Sequence, residues 1–275
     1  MRGGVSRIFA WVGLCAFAQI GQCPVVWAGD CEALFRTLES GHQKGKQGFN
    51  TKRDLSRYRS TLGEPFFAAL TETRLGFRWM DGGSGETLAL TEFFSGQNLM
   101  DSILDRAPNR SGEGVGITLR FADRPVPEKV WIFINRLFEE IADERLGQFD
   151  LITDLFGIAA YSYQPDEVLR RYFRLLKGES SALVFGLRGT FESLSFCEDE
   201  LGVKTPINDW IVACGQGVVS EYSVTDIFGG PGGHVLRLNK GAADSEWFLP
   251  RMEFIRTVDE KMKPPIRAFR CPKCD

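Results

Sequence analysis

The residues best suited to chemistry in this chain are seven in a row, Asp81-Gly82-Gly83-Ser84-Gly85-Glu86-Thr87. They follow a short apolar run, Gly76 to Met80, and precede Leu-Ala-Leu-Thr-Glu-Phe-Phe. That is a strand, a glycine-rich turn and a helix. Glycines let a turn tighten and let a ligand approach main-chain amides without meeting a Cβ. In an open α/β sheet the carboxyl end of a parallel strand is where ligands bind. The turn lacks the Gly-Lys-Ser/Thr ending of a nucleoside-triphosphate loop, and it lacks the third glycine of the dinucleotide fingerprint. An acidic residue at the strand end suits a cationic ligand or an amine better than a pyrophosphate.

Other reactive side chains form no constellation. His42 and His234 lie in or beside loops, with no Ser-His-Asp or metal-ligand spacing around them, so no metal site is expected. Cys271 and Cys274 form a C-x-x-C pair at the end of the chain. Their spacing to Cys197 and Cys214 does not suggest a four-cysteine zinc site, and a local or tethering disulfide is the plainer reading. Lys44 and Lys46 sit in a polar, glycine-rich stretch, Gly41 to Asn50, that reads as a solvated loop.

Strands and helices must hold the glycine turn in place. Gly114 to Leu119 reads as a second strand. Val130 to Asn135 reads as a third, although a helical period also fits there. Phe149 to Phe156 reads as a fourth strand, Pro165 to Lys177 as an amphipathic helix, and Ala182 to Leu187 as a fifth strand. Pro165 starts that helix with Asp166 and Glu167 in its first turn. Such alternation implies a mostly parallel sheet with helices on both faces. Upstream, Cys31 to Leu38 reads as a short helix, and Asp54 to Leu70 as an amphipathic helix broken at Pro65. Downstream, His234 to Asn239 and Met252 to Thr257 read as strands.

These motifs together resemble the class I S-adenosylmethionine-dependent methyltransferases. Their first motif is a hydrophobic strand ending in an acidic residue, then x-Gly-x-Gly-x-Gly. Phe77 to Thr87 supplies Asp81, Gly83 and Gly85, with Thr87 in place of the last glycine. About 70 residues later, Phe149 to Gly186 resembles the family's fourth strand, the helix after it and the fifth strand. The resemblance covers Leu75 to Leu187. It implies a Rossmann-like α/β fold with an N-terminal helical cap, and S-adenosylmethionine as cofactor. By that resemblance Asp81, Gly82, Gly83, Ser84 and Gly85 lie along the cofactor's amino-acid moiety, and Asp154 and Leu155 border the methyl group and substrate. The family's ribose-binding carboxylate is missing: Thr118 stands near that place, and the next carboxylate is Asp123. Glu139 or Glu140 matches the adenine side loosely. Tyr161 and Tyr163 follow the fourth strand and either face substrate or pack. No catalytic side chain is nominated.

Composition limits the function classes. Hydrophobic residues at 43% and charged residues at 25% exclude a disordered tail or a multi-span membrane protein. A net charge of -3 offers no global attraction for nucleic acid, and the fourth strand lacks the Asn/Asp-Pro-Pro-Tyr ending of base N-methylating enzymes. The acceptor class is therefore a small molecule or a protein side chain. Near the N-terminus, Arg2 and Arg7 precede an uncharged stretch, Ile8 to Gly29, that ends in Val26-Trp27-Ala28. This reads as a signal peptide over residues 1–28 or an uncleaved anchor, which would be the chain's contact with membrane. The expected partition is then 1–28, a helical extension 29–73 and an α/β domain 74–275, working in the periplasm or outside the cell. A misassigned start would instead leave a cytoplasmic enzyme. Export makes an exported, non-catalytic binding protein on the same fold the alternative. Past residue 28 the cysteines are odd in number: Cys31, Cys197, Cys214, Cys271 and Cys274.

Overall fold

The computed structural model describes residues 52–71, 76–95, 112–118, 125–134, 138–186, 195–215, 217–224, 233–240, 249–261 and 265–274. All of them fall in one compact unit, Lys46–Asp275. The readings for the signal segment, the Cys31 helix, His42 and the Gly41 to Asn50 loop lie outside the described residues.

Short strands buried along nearly their whole length build the core of the central sheet. Its strands are β1 (Arg78–Asp81), β2 (Glu113–Thr118), β3 (Val130–Ile134), β4 (Leu151–Leu155), β5 (Ala182–Gly186), β8 (Val219–Val224) and β9 (Gly233–Asn239). The spatial order is β3-β2-β1-β4-β5-β9-β8. Pairings from β3 through β5 are parallel, and β9 and β8 close the edge antiparallel. The order reverses between β1 and β4, which makes their carboxyl ends the switch point where such sheets bind ligands. The sheet is thus the mostly parallel, doubly wound one expected. The ambiguous third segment is a strand, paired in register from Gly114 with Val130 to Thr118 with Ile134.

Successive side chains point to opposite faces, so each strand feeds two cores. On one face Trp79, Leu151 and Val184 pack with α1 (Leu55–Thr71) and α2 (Leu88–Ser95). On the other, Met80, Ile152, Leu183 and Phe185 pack with Val168, Leu169, Tyr172 and Phe173 of α5 (Pro165–Leu175). Two shorter helices, α3 (Asp143–Leu146) and α4 (Ile158–Tyr161), flank β4. β4 is buried at every position, as a central parallel strand should be. Each fully buried aromatic or aliphatic side chain here contributes roughly 1.5–3 kcal/mol.

The break in α1 falls at Gly63 rather than Pro65. Gly63 has φ 62° and ψ -151°, outside the helical region. Pro65 then sits in the first turn of the continuing segment, where its missing N–H costs nothing. Glycine takes the turn because only it adopts that φ without strain.

The C-terminal part holds more structure than its sequence pattern suggested. β6 (Phe196–Glu198), β7 (Lys204–Pro206), β10 (Glu253–Asp259) and β11 (Ile266–Arg270) form a second sheet ordered β10-β11-β6-β7. Between β7 and β8 runs α6 (Ile207–Cys214). Ile207, Trp210, Met252 and Phe269 join the core beneath α5. The C-x-x-C pair does not close on itself. Cys271 bonds Cys197, and Cys274 bonds Cys214, with Cα–Cα separations of 5.4 and 4.9 Å. Spacing gave no hint that these four would converge, because β11 and α6 bring them together only in the folded sheet. No helix among the described residues is long and apolar enough to cross a membrane.

Candidate active site

β1 and β4 end side by side, and their two loops touch. Gly82 N–H donates to the Thr153 carbonyl, and Ile158 N–H to the Gly82 carbonyl, both at 2.8 Å. A Cβ on Gly83 would lie 2.4 Å from the Gly157 Cα, and one on Gly157 would lie 2.1 Å from the Gly82 oxygen. A Cβ on Gly82 would meet the Tyr172 hydroxyl at 2.0 Å. Gly82 and Gly83 are therefore required by the protein's own close approach at these points.

Both motif carboxylates are fully buried below these loops. Asp81 accepts hydrogen bonds from the Tyr58 hydroxyl of α1 and, at 3.1 Å, from the Thr153 hydroxyl. Thr153 Oγ1 in turn accepts the Trp79 indole N–H at 2.8 Å. Asp154 accepts from Gly157 N–H at 2.6 Å, Ala159 N–H at 2.9 Å and the Tyr172 hydroxyl at 2.8 Å. It thereby caps the start of α4. Burial pushes both carboxyls up to about 6, against the pull of these donors and of Arg53. At neutral pH both are mainly ionised. Burial, then the adjacent carboxylates, raises Tyr58 and Tyr172 well above the usual phenol value, so both phenols stay protonated as donors.

Arg53 completes the cluster. Its two terminal nitrogens donate to the Leu155 and Gly83 carbonyls, one from each loop. Its Nε is buried without a hydrogen-bond partner. Two carboxylates and one guanidinium leave the cluster with one net negative charge.

The other residues singled out are placed as follows. Ser84 is buried, and its N–H and hydroxyl donate to the Ile117 carbonyl at 3.1 and 3.3 Å. Thr118 ends β2 and donates its hydroxyl to the Gly85 carbonyl at 2.6 Å. Asp123 lies outside the described residues. Glu139 and Glu140 are exposed on a short 3-10 turn. Tyr163 packs edge-on against Phe254, ring centroids 4.7 Å apart. Among the described residues, no group of His, Cys, Asp and Glu could hold a metal ion.

Two non-glycine residues among those described have left-handed φ: Thr87 at 58° and Phe156 at 49°. One closes the glycine turn and the other follows β4. Such backbone costs roughly 1–3 kcal/mol per residue and persists only where the surrounding structure over-determines it, and both instances lie at this switch point. Thr87 occupies the position where the resembled family has its last glycine, and its φ explains why glycine suits it.

Arg53, Tyr58, Gly157 and Tyr172 were not picked out in sequence. Arg53 and Tyr58 come from the N-terminal helical segment, far along the chain from the glycine turn. Tyr172 lay within the buried face of α5, with no local sign of its polar task. Gly157 did have a signal, since it ends the Asp-Leu-Phe-Gly run that closes the fourth strand.

Neither a family model nor a curated protein matches the chain. Among solved structures it is similar to the 1,6-didemethyltoxoflavin N1-methyltransferase of Burkholderia thailandensis, at 12% identity and a TM-score of 0.45, over 80% of this chain and 92% of that one. It is also similar to an amino pentose methyltransferase of Micromonospora echinaspora, at 13% identity and a TM-score of 0.41, over 74% and 96%. A sugar N-methyltransferase from Streptoalloteichus is similar at 12% identity and a TM-score of 0.41, over 87% and 98%. At such identities their substrates say nothing about this chain's.

Proposed function

We propose that the chain transfers a methyl group from S-adenosylmethionine to a small molecule or a protein side chain. The observation that carries this reading is the meeting of Asp81, Asp154 and Arg53 between the glycine loop and the end of β4. The donor's amino-acid end bears an ammonium, a carboxylate and a sulfonium, a net positive charge. The cluster's net negative charge complements it. The unpartnered Nε of Arg53 fits a carboxylate. The buried carboxylates act through the loop by their field, worth roughly 3 kcal/mol at ~6 Å for an effective dielectric of ~20.

When bound, the cofactor supplies a methyl group already activated on sulfur. This chain's residues then have to bind, orient and exclude water. Arg53 would orient the amino-acid end. The amides of Gly83 and Gly85 would line it. Leu155 and Phe156 would border the transfer position, their apolar side chains excluding water.

Calorimetric titration with S-adenosylhomocysteine tests the reading. The wild type should bind. Arg53→Met should bind roughly 10- to 100-fold more weakly, the worth of a hydrogen bond to a charged group. No heat from the wild type would overturn the assignment. Binding without transfer to any acceptor from S-adenosylmethionine would leave a non-catalytic binder instead.

The cysteines bear on the working compartment. The two disulfides, Cys197–Cys271 and Cys214–Cys274, suit an oxidising environment. They support delivery to the periplasm or beyond, with residues 1–28 read as the export segment, 29–73 as a helical extension and 74–275 as the α/β domain. N-terminal sequencing of the native protein checks this. A chain that retains Met1 and stays in the cytoplasm would refute it.

A further inference from the structure

The two loops at the switch point are joined by a side chain as well as by backbone. Arg53 donates from one terminal nitrogen to the Leu155 carbonyl at the end of β4, and from the other to the Gly83 carbonyl in the glycine turn. Two main-chain acceptors from separate loops thus converge within the span of one guanidinium. Asp81 and Asp154 are buried beneath them, and the charge of Arg53 acts on both carboxylates. A place of this kind suits any compact cation that brings several N–H donors. An ammonium carries three, and the donor's amino-acid end has one.

The backbone of Arg53 is pinned, but its side chain has somewhere to go. Arg53 precedes α1, and its carbonyl accepts the Ala89 N–H of α2 at 3.2 Å. Two residues on, Leu55 N–H donates to the Glu92 carboxylate at 2.9 Å. Arg53 itself is partly exposed, so its long side chain can turn without moving α1. Its Nε is buried with no hydrogen-bond partner. A guanidinium bonded to two neutral carbonyls, with its Nε unmatched, is under-satisfied. A carboxylate, which takes two parallel N–H bonds along one edge, is the better partner.

We propose that Arg53 is a selectivity latch, holding the place of an incoming ammonium and yielding it only to a ligand that also brings a carboxylate. The ammonium takes the Gly83 and Leu155 carbonyls, and the released guanidinium closes on the carboxylate through its Nε edge. This rests on the methyltransferase reading and adds which donors the site admits. A complete amino-acid end satisfies both exchanges. An amine without a carboxylate displaces the guanidinium and gives it nothing in return, so the latch competes against such a ligand.

Two ligands separate the exchanges: S-adenosylhomocysteine, and its decarboxylated analogue, which keeps the ammonium. Both are titrated by calorimetry into the wild type and Arg53→Met. The variant should bind S-adenosylhomocysteine more weakly, as above. It should bind the decarboxylated analogue roughly 3- to 10-fold more tightly than the wild type does, because nothing competes for the carbonyls. Equal binding of the analogue by the two proteins would make Arg53 a plain carboxylate receptor, and weaker binding by the variant would make it a structural tie. Either result overturns the latch. A measurement on the wild type stands beside these. The Arg53 Nε–H signal in nuclear magnetic resonance, identified by its loss in Arg53→Lys, should shift with S-adenosylhomocysteine and stay protected from solvent exchange. With the decarboxylated analogue it should lose that protection. A signal that does not move while S-adenosylhomocysteine binds overturns the latch and leaves the methyltransferase reading standing. No binding of S-adenosylhomocysteine by the wild type overturns that reading, and the latch with it.

Discussion

Asp81 is held in a place that costs stability. Its carboxyl is fully buried and pushed up to about 6, against 3.8 for an exposed aspartate. The folded state therefore binds more protons than the unfolded state between those values. The sign follows directly: stability from this group is fully present below about pH 4 and is lost as pH rises through 6. Two units correspond to about 3 kcal/mol at neutral pH. Asp81→Asn removes the ionisation and should stabilise the domain by up to about that amount at pH 8, and far less at pH 5. It should also weaken binding of S-adenosylmethionine, whose sulfonium makes its amino-acid end net positive, because one negative charge is gone. Urea unfolding at the two pH values checks the first part. A variant that is less stable than wild type at pH 8 would show the carboxylate to be a structural anchor. The opposite signs expected for stability and binding are what separate a functional carboxylate from a packing one. Asp154 has the same shift but a different occupation, since it caps α4 with two backbone amides. Its replacement by asparagine should destabilise the helix start and offset the gain.

Two elements, the glycine turn and the loop after β4, act as one piece. A Cβ added at residue 157 would fall 2.1 Å from a backbone oxygen, which no side-chain motion relieves. Gly157→Ala should separate the loops, cost roughly 1–3 kcal/mol and abolish cofactor binding. Thr87→Gly should go the other way. Its left-handed φ and its unpartnered, buried hydroxyl predict a gain of about 1 kcal/mol, where a threonine-to-glycine change in ordinary backbone would cost stability. Thermal unfolding of both variants decides the matter. These elements also show how far sequence reading reached. β1, β2, β4, β5 and α5 were legible because each carries a continuous apolar run or a helical face with its own start signal. Asp81, Gly83 and Asp154 were legible because they sit at strand ends inside a recognisable pattern. Arg53 and Tyr58 were not, since each reaches the site from a remote segment, and nothing local distinguishes a bridging arginine from a solvated one. The second sheet was missed for a similar reason. Its β6 and β7 span three residues each, too short for alternation to register.

At the scale of the whole molecule, the C-terminal strand is fastened twice. The disulfides span 74 and 60 residues of chain and tie β11 and the tail to β6 and α6. Loops of that size remove conformational freedom from the unfolded chain worth about 4 kcal/mol each. The two loops overlap in sequence, so their effects do not add fully. Trp210 reinforces the clamp by donating its indole N–H to the Pro272 carbonyl at 2.8 Å. β11 also carries Arg267, whose grip on α4 joins the second sheet to the motif loops. Reduction should separate stability from binding. It should lower the midpoint of thermal unfolding by roughly 10 °C, from ~4 kcal/mol at 2–4 °C per kcal/mol for a domain of this size. It should leave S-adenosylhomocysteine binding intact below the unfolding range, because β1 and β4 hold the glycine loop without help from the cysteines. Scanning calorimetry with and without dithiothreitol, beside that titration, distinguishes the two effects. Loss of that binding on reduction would mean that the second sheet supports the whole fold.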